Sequence, residues 1–143
     1  MVGVALGMAF AGAHPVVELA GPSALWGAIQ HLGQEAAPNA DGEFPCGVVL
    51  RVPVAPGEVD LANLLTAVDG LVLASPSNQA DAAGLLQTAL ESQRPVVLLE
   101  PRTLPAGEGD EAIPFGQAAL RHSGDHASVL AWGQGVGPAE QAA

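Results

Sequence analysis

Two acids stand where a parallel α/β fold gathers its ligands. Glu18 closes the apolar run "PVVEL" and Glu100 closes "PVVLLEP", so each carboxylate is placed at the end of a short strand. A carboxylate in that position can wall a ligand site and exchange a proton, or it can anchor local structure through hydrogen bonds. For Glu18 both readings stand: a wall of a cofactor site or of a partner contact, and a strand-end carboxylate that fixes a neighbouring helix start. Glu100, followed by Pro101, reads as structural.

The other candidates have bland readings. His122 and His126 flank "SGD" and with Asp125 imitate a metal pair, but the stretch is a polar turn with no second ligand cluster in sequence, so no metal is expected. His31 falls on a helical pattern without a ligand-spaced partner and reads as a surface or packing histidine. Cys46 is the only cysteine, which excludes an intrachain disulfide. "FPCGVVLRV" puts it at the mouth of an apolar strand, with no local base or helix start to activate it, so it reads as a buried thiol. Ser75 and Ser77 lack the elbow of a hydrolase nucleophile, and Ser77 reads as a helix cap. "GQGVG", Gly133 to Gly137, does not have the spacing of a dinucleotide fingerprint. No residue is assigned a catalytic role.

The elements that must position these residues alternate. Val2 to Ala13 reads as a small-residue helix stopped by His14-Pro15. "PVVELA" is a strand, and Ser23 to Ala36 carries Leu25, Trp26, Ile29 and Leu32 at helical spacing. A turn-rich loop, "APNADGEFP", leads to the strand "CGVVLRV". A shorter helix, Leu61 to Val68 with Asp60 as cap, precedes the strand "GLVLAS". Ser77 or Asn78 then caps a helix from Gln79 to Glu91, which places Ala83, Leu86 and Leu90 on one face and feeds "PVVLLEP". Strands apolar on both faces, alternating with helices, predict a parallel sheet covered on both sides, an α/β fold. Beyond Pro101, "RTLPAGEGDEAIP" reads as a connector, "GQAALRHSGDHASVLAWG" as a β-hairpin turning at "HSGDH", and the tail as chain that frays.

Composition narrows the partners. The 143 residues are 49% hydrophobic, enough for the core of one domain. Four arginines, no lysine and fifteen acids give a formal net charge of -11, which argues against nucleic acid and anionic membranes. Tyrosine is absent and the five Phe and Trp residues are scattered, so there is no stacking platform either. "MVGVALGMAFAGA" imitates a secretory leader but lacks its positive start, and it falls short of the roughly 20 apolar residues of a membrane span. A cytoplasmic location is expected.

With the elements in order, three runs carry a resemblance: "GVALGMAFAGAHPVVEL", "GLVLASPSNQADAAGLLQTALESQRPVVLLEP" and "IPFGQAALRHSGDHASVLAWG". From Val2 to Trp132 they resemble the beta subunit of the thiamine-diphosphate-dependent decarboxylase component of 2-oxo acid dehydrogenases. Transketolase and deoxyxylulose-phosphate synthase share the first half of the pattern. The resemblance implies a pyrimidine-binding domain that holds the cofactor's aminopyrimidine ring, with an alpha subunit supplying the diphosphate and magnesium site. It also implies a glutamate that protonates the pyrimidine, general acid–base work by one carboxylate beside a cofactor that is the electron sink.

The resemblance has gaps. The family's glutamate lies in an acidic-glycine motif just before the first helix, where this sequence has Met1. "AGPSAL" stands where the family carries aromatic residues near the ring, and Ile29 and Gly33 replace a polar pair on the next helix. "PVAPGEVDLAN" is shorter than the family's histidine-bearing loop, and Ser92 and Arg94 replace an acid and an amide in its monovalent-cation loop. The division expected is a truncated pyrimidine-binding-like domain over 1–101, a connector and β-hairpin over 102–132, and a flexible tail over 133–143. The function expected is a degenerate beta-like subunit with a structural or interaction role, in a homo-oligomer or with an alpha-type subunit. One piece of a split thiamine-diphosphate enzyme is the alternative, and Glu18 is then the retained wall of the cofactor site.

Overall fold

A computed structural model of the chain describes residues 1–36, 38, 45–56, 58, 61–109 and 111–143. The described residues form helix α1 (Val2–Phe10), strand β1 (Val16–Glu18), helix α2 (Leu25–His31) entered by a 3-10 turn at Pro22–Ala24, and strand β2 (Val49–Val54). They continue with helix α3 (Ala62–Leu65), strand β3 (Val72–Ala74), helix α4 (Gln79–Glu91), strand β4 (Val96–Pro101) and helix α5 (Val136–Ala142). The four strands make one sheet in the order β1-β2-β4-β3, every neighbouring pair parallel.

The strand runs are apolar at successive positions because both faces are covered. Alternation sends Leu50, Val52, Val97 and Leu99 into a core with Leu6 of α1, Leu25 of α2 and Leu65 of α3. The intervening Val49, Val96 and Leu98 pack on the other face with Ala89 of α4. Cys46 is fully buried in the first of these cores, as its place ahead of an apolar strand predicts. Burial pushes its thiol pKa up, against a smaller opposing effect of a backbone hydrogen bond with Val48.

Local chemistry sets the helix boundaries. Asn78 is the cap of α4, its Oδ1 accepting from the Asp81 N–H at 2.9 Å. Ser77 supports the same turn, donating its hydroxyl and its backbone N–H to the Asp81 carboxylate. Helix α1 ends at Phe10, three residues before the predicted end, because Gly12 turns the chain with φ of +88°. Past His31 the chain widens into π-type turns over Leu32–Ala36, which keep Leu32 and Ala36 in the core. Asp60 and most of the 37–45 loop lie outside the described residues.

Two expectations for the last third are corrected. The described residues of 102–132 hold no strand, so the hairpin across "HSGDH" is absent, and Leu120, Val129 and Leu130 are exposed. Two strands with no third strand or helix to cover them bury too little apolar surface to hold together, whatever their alternation. The tail, expected to fray, instead forms a 3-10 turn at Gly133–Gly135 followed by α5, with Gly133 buried.

Candidate functional site at the carboxyl edge of the sheet

All four strands point the same way, so their carboxyl ends make one edge, the side on which parallel α/β folds bind ligands. Two features meet there. The first is an ion-pair cluster across β1, β2 and β4. Alternation that sends Val49 inward sends Arg51 to the same face two residues later, and the register sets it opposite Glu18 on β1 and Leu98 on β4. Glu100, two residues past Leu98, therefore lies diagonally across from Arg51. The guanidinium donates from Nε to Glu100 Oε1 at 2.8 Å and from Nη2 to Oε2 at 2.7 Å, a two-pronged pair. Nη1 stands 3.8 Å from Glu18 Oε2. The hydrogen bonds to Glu100, with the added field of Glu18, hold the Arg51 pKa above its ordinary value.

The second feature is a cleft of about 500 Å³ over the ends of β2, β3 and β4. Val54, Pro56, Leu99 and Pro101 give it an apolar floor, with Ser75 and Glu58 as polar points. Ser75 donates its hydroxyl to the Leu99 carbonyl at 2.8 Å, and Glu58 Oε2 accepts from the Ala55 N–H at 2.6 Å. The opposite wall belongs to the chain's own last third, including Val129, Leu130 and Trp132.

The structure distributes the sequence candidates unevenly. Glu18 reaches the carboxyl edge, but its side chain is 72% exposed, its partner is Arg51, and it is not among the residues that line the cleft. Glu100 is 16% exposed with both oxygens accepting from Arg51. Ser75 lines the cleft, whereas Ser77 belongs to the α4 cap. His31 pairs with Glu35 one turn on, Nδ1 to Oε1 at 3.6 Å. His126 pairs with its exposed neighbour Asp125 at 2.8 Å, and among the described residues no three His, Cys, Asp or Glu side chains converge to hold a metal. In the turn after α4, the Ser92 hydroxyl donates to the Arg94 carbonyl and accepts from the Arg94 N–H, while Arg94 Nε donates to Gly70 O at 3.0 Å. Reasoning from sequence missed Arg51, although one arginine inside "GVVLRV" is itself the signal of a partnered charge.

Comparison with known proteins fits this geometry. Residues 1–106 match the family described as transketolase, pyrimidine binding domain. The chain belongs to that family. Among curated proteins it is similar to the pyruvate dehydrogenase E1 component subunit beta of Acholeplasma laidlawii, 32% identical over 158 residues that cover 99% of this chain and 48% of the relative. The mitochondrial pyruvate dehydrogenase E1 component subunit beta of Caenorhabditis elegans is 30% identical, covering 94% of this chain and 44% of the relative. The 2-oxoisovalerate dehydrogenase subunit beta of Bacillus subtilis is 28% identical over the whole chain and 49% of its own length. The chain thus spans less than half the length of these relatives. The parallel sheet flanked by helices is the α/β architecture expected of this pyrimidine-binding-domain family.

Proposed function

We propose that this chain acts as a beta-type subunit module in a cytoplasmic 2-oxo acid dehydrogenase assembly, supplying fold and subunit contacts rather than proton-transfer groups. The observation that carries this reading is the Arg51 cluster. A carboxylate that passes a proton to a ring nitrogen needs an oxygen free to face that ring. Glu100 has both oxygens engaged by Arg51, and Glu18 stands exposed beside the same guanidinium, away from the cleft. The cleft, closed on one side by the chain itself, offers Glu58, Ser75 and Gln134 as polar points; Ser75 donates to a backbone carbonyl, and Glu58 accepts a backbone N–H through Oε2 alone. Glu100 and Glu18 therefore do not fit the aminopyrimidine of thiamine diphosphate as proton-relay groups, and no chemical step is assigned to them. In this reading Glu18 is a wall of the carboxyl edge that serves structure through Arg51.

The subunit role is supported by an apolar surface that lacks a cover. Met1, Val4 and Met8 of the α1 region are exposed, and no charged side chain occurs between Met1 and Ala13 in a chain of net charge -11. Such a face is suited to burial against another subunit, a second copy or an alpha-type chain. A second reading makes the chain one piece of a split thiamine-diphosphate enzyme, and the parallel four-strand sheet favours it, because the carboxyl ends of its strands share one edge. Co-expression with an alpha-type subunit, followed by affinity purification and thiamine diphosphate calorimetry on what co-purifies, tests both. Co-purification without cofactor heat supports the structural subunit. Cofactor heat from the complex supports the split enzyme, and failure to co-purify removes the alpha-type partner from both readings.

A further inference from the structure

The cleft at the carboxyl edge stands open, and its place follows from the order of the strands. In the sheet β4 lies between β2 and β3. β2 hands the chain to α3, which packs on the face shared with α1 and α2, whereas β3 hands it to α4 on the opposite face. The two connections therefore part over the end of β4 and leave a crevice there, the point at which open parallel sheets take small ligands. At about 500 Å³ the cleft has the size that such ligands fill.

The side chains on its walls decide what suits it. Val54, Leu99, Pro101 and Leu130 make most of the wall apolar, and the half-exposed Trp132 adds an indole. Among the described residues that line the cleft there is no Lys, Arg or His, and the exposed Glu58 is the one charged side chain. Its Oε2 accepts from the Ala55 N–H, while Oε1 has no hydrogen-bond partner among the described residues. Arg102, next to Pro101, donates to Ala20 O at 3.2 Å and forms no ion pair with Glu58 among the described residues. Ser75 donates its hydroxyl proton to Leu99 O, so toward a ligand its oxygen only accepts. An anionic head group would meet a carboxylate and no fixed cation. An ammonium would meet the free oxygen of Glu58 and an indole, in a chain whose net charge of -11 concentrates cations around it. We propose that the carboxyl-edge cleft binds a small apolar ammonium ligand, its tail over Leu99 and Pro101 and its head on Glu58 Oε1. Such binding is a property of the chain alone, so it stands or falls apart from the subunit role.

Titration of the isotopically labelled full chain with phenethylamine, followed by NMR shifts of amides and indoles, tests this. Hydrocinnamate, the same tail on a carboxylate, is the control. In about 0.15 M salt, which screens the net charge beyond about 8 Å, the amine should move the Trp132 indole and the amides of Ser75 and Gly135 to saturation. The Trp26 indole on α2 should stay still, and hydrocinnamate should move neither. Glu58→Gln keeps an oxygen for the Ala55 N–H but loses the charge. Because Glu58 is exposed, this change should weaken the amine by only about three- to fivefold. Ala139→Phe, on a helix that buries no residue, leaves the core untouched and should weaken the amine by narrowing the cleft. Shifts that fail to saturate, or that hydrocinnamate produces equally, would overturn the ammonium class. Affinity unchanged by Glu58→Gln would assign the charge preference to the chain's net charge and overturn the head-group contact. Affinity unchanged by Ala139→Phe would overturn the cleft as the site.

Discussion

A guanidinium in the middle of a strand is tolerated only where its donors are met. Arg51 has two charge-assisted bonds to Glu100 and one distant ion pair with Glu18, and the two carboxylates should differ in weight accordingly. The arginine is 35% exposed, so solvent screens part of the interaction. We expect Glu100→Gln to destabilise by about 1–2 kcal/mol and Glu18→Gln by less than about 0.5 kcal/mol. A double-mutant cycle with Arg51→Met, read by urea unfolding, should return coupling for the Glu100 pair and almost none for Glu18. Equal effects at the two acids would mean that the diagonal pair does not dominate. Cys46 supplies a pH dependence of opposite character. Its folded pKa lies above the ordinary 9.0, so the folded chain keeps a proton that the unfolded chain gives up. Stability from this group is therefore fully present below the unfolded value and declines as pH rises through it. Urea midpoints compared between about pH 8 and pH 10 should fall more steeply for the native sequence than for Cys46→Ala.

Among the elements, two helical glycines predict opposite outcomes. Gly27 in α2 has no atom within 4 Å of where a Cβ would stand, so Gly27→Ala should stabilise the chain by about 0.5–1 kcal/mol through helix propensity. Gly84 in α4 lies under the connector, where a Cβ would sit 2.4 Å from Glu111 O and 2.9 Å from Ile113 Cγ1. Backbone cannot yield as a side-chain tip does, so Gly84→Ala should destabilise by about 1–3 kcal/mol despite the same propensity gain. Thermal melts of the two variants, moving in opposite directions, check the pair. The contrast also marks what the sequence could reveal. The strand runs "GVVLRV" and "PVVLLE" and the α4 pattern were legible because burial on two faces and helical spacing leave a local trace. The α4 cap was narrowed to Ser77 or Asn78, and the structure assigns the cap to Asn78 with Ser77 in support. The Arg51 to Glu100 pair was not legible, since it joins residues 49 positions apart and depends on the β2–β4 register. Nor was the fate of "AALRHSGDHASVLAW", whose alternation promises strands that need neighbours this chain does not place beside them.

For the molecule as a whole, the unbalanced quantity is apolar surface. The sheet is sealed on one face by α1, α2 and α3, and on the other by α4, which packs over the core built from β2, β3 and β4. Beyond that cover Val16 of β1 remains exposed, β1 has no strand on its outer side among the described residues, and the α1 region offers Met1, Val4 and Met8 to solvent. An edge strand only three residues long is a poor template for sheet extension, whereas a helix face without charge has nothing to oppose burial. Association is therefore expected through α1 rather than through β1. Sedimentation velocity at micromolar concentration should show a species heavier than one chain, and the double change Val4→Glu, Met8→Glu should return it to a monomer. Neither residue belongs to the buried core, so the melting transition of the sheet should survive the change. A native chain that sediments as a stable monomer would remove a second copy as the cover of the α1 face and leave the alpha-type chain as its one proposed partner. A variant that stays assembled would move the contact from α1 to the β1 edge.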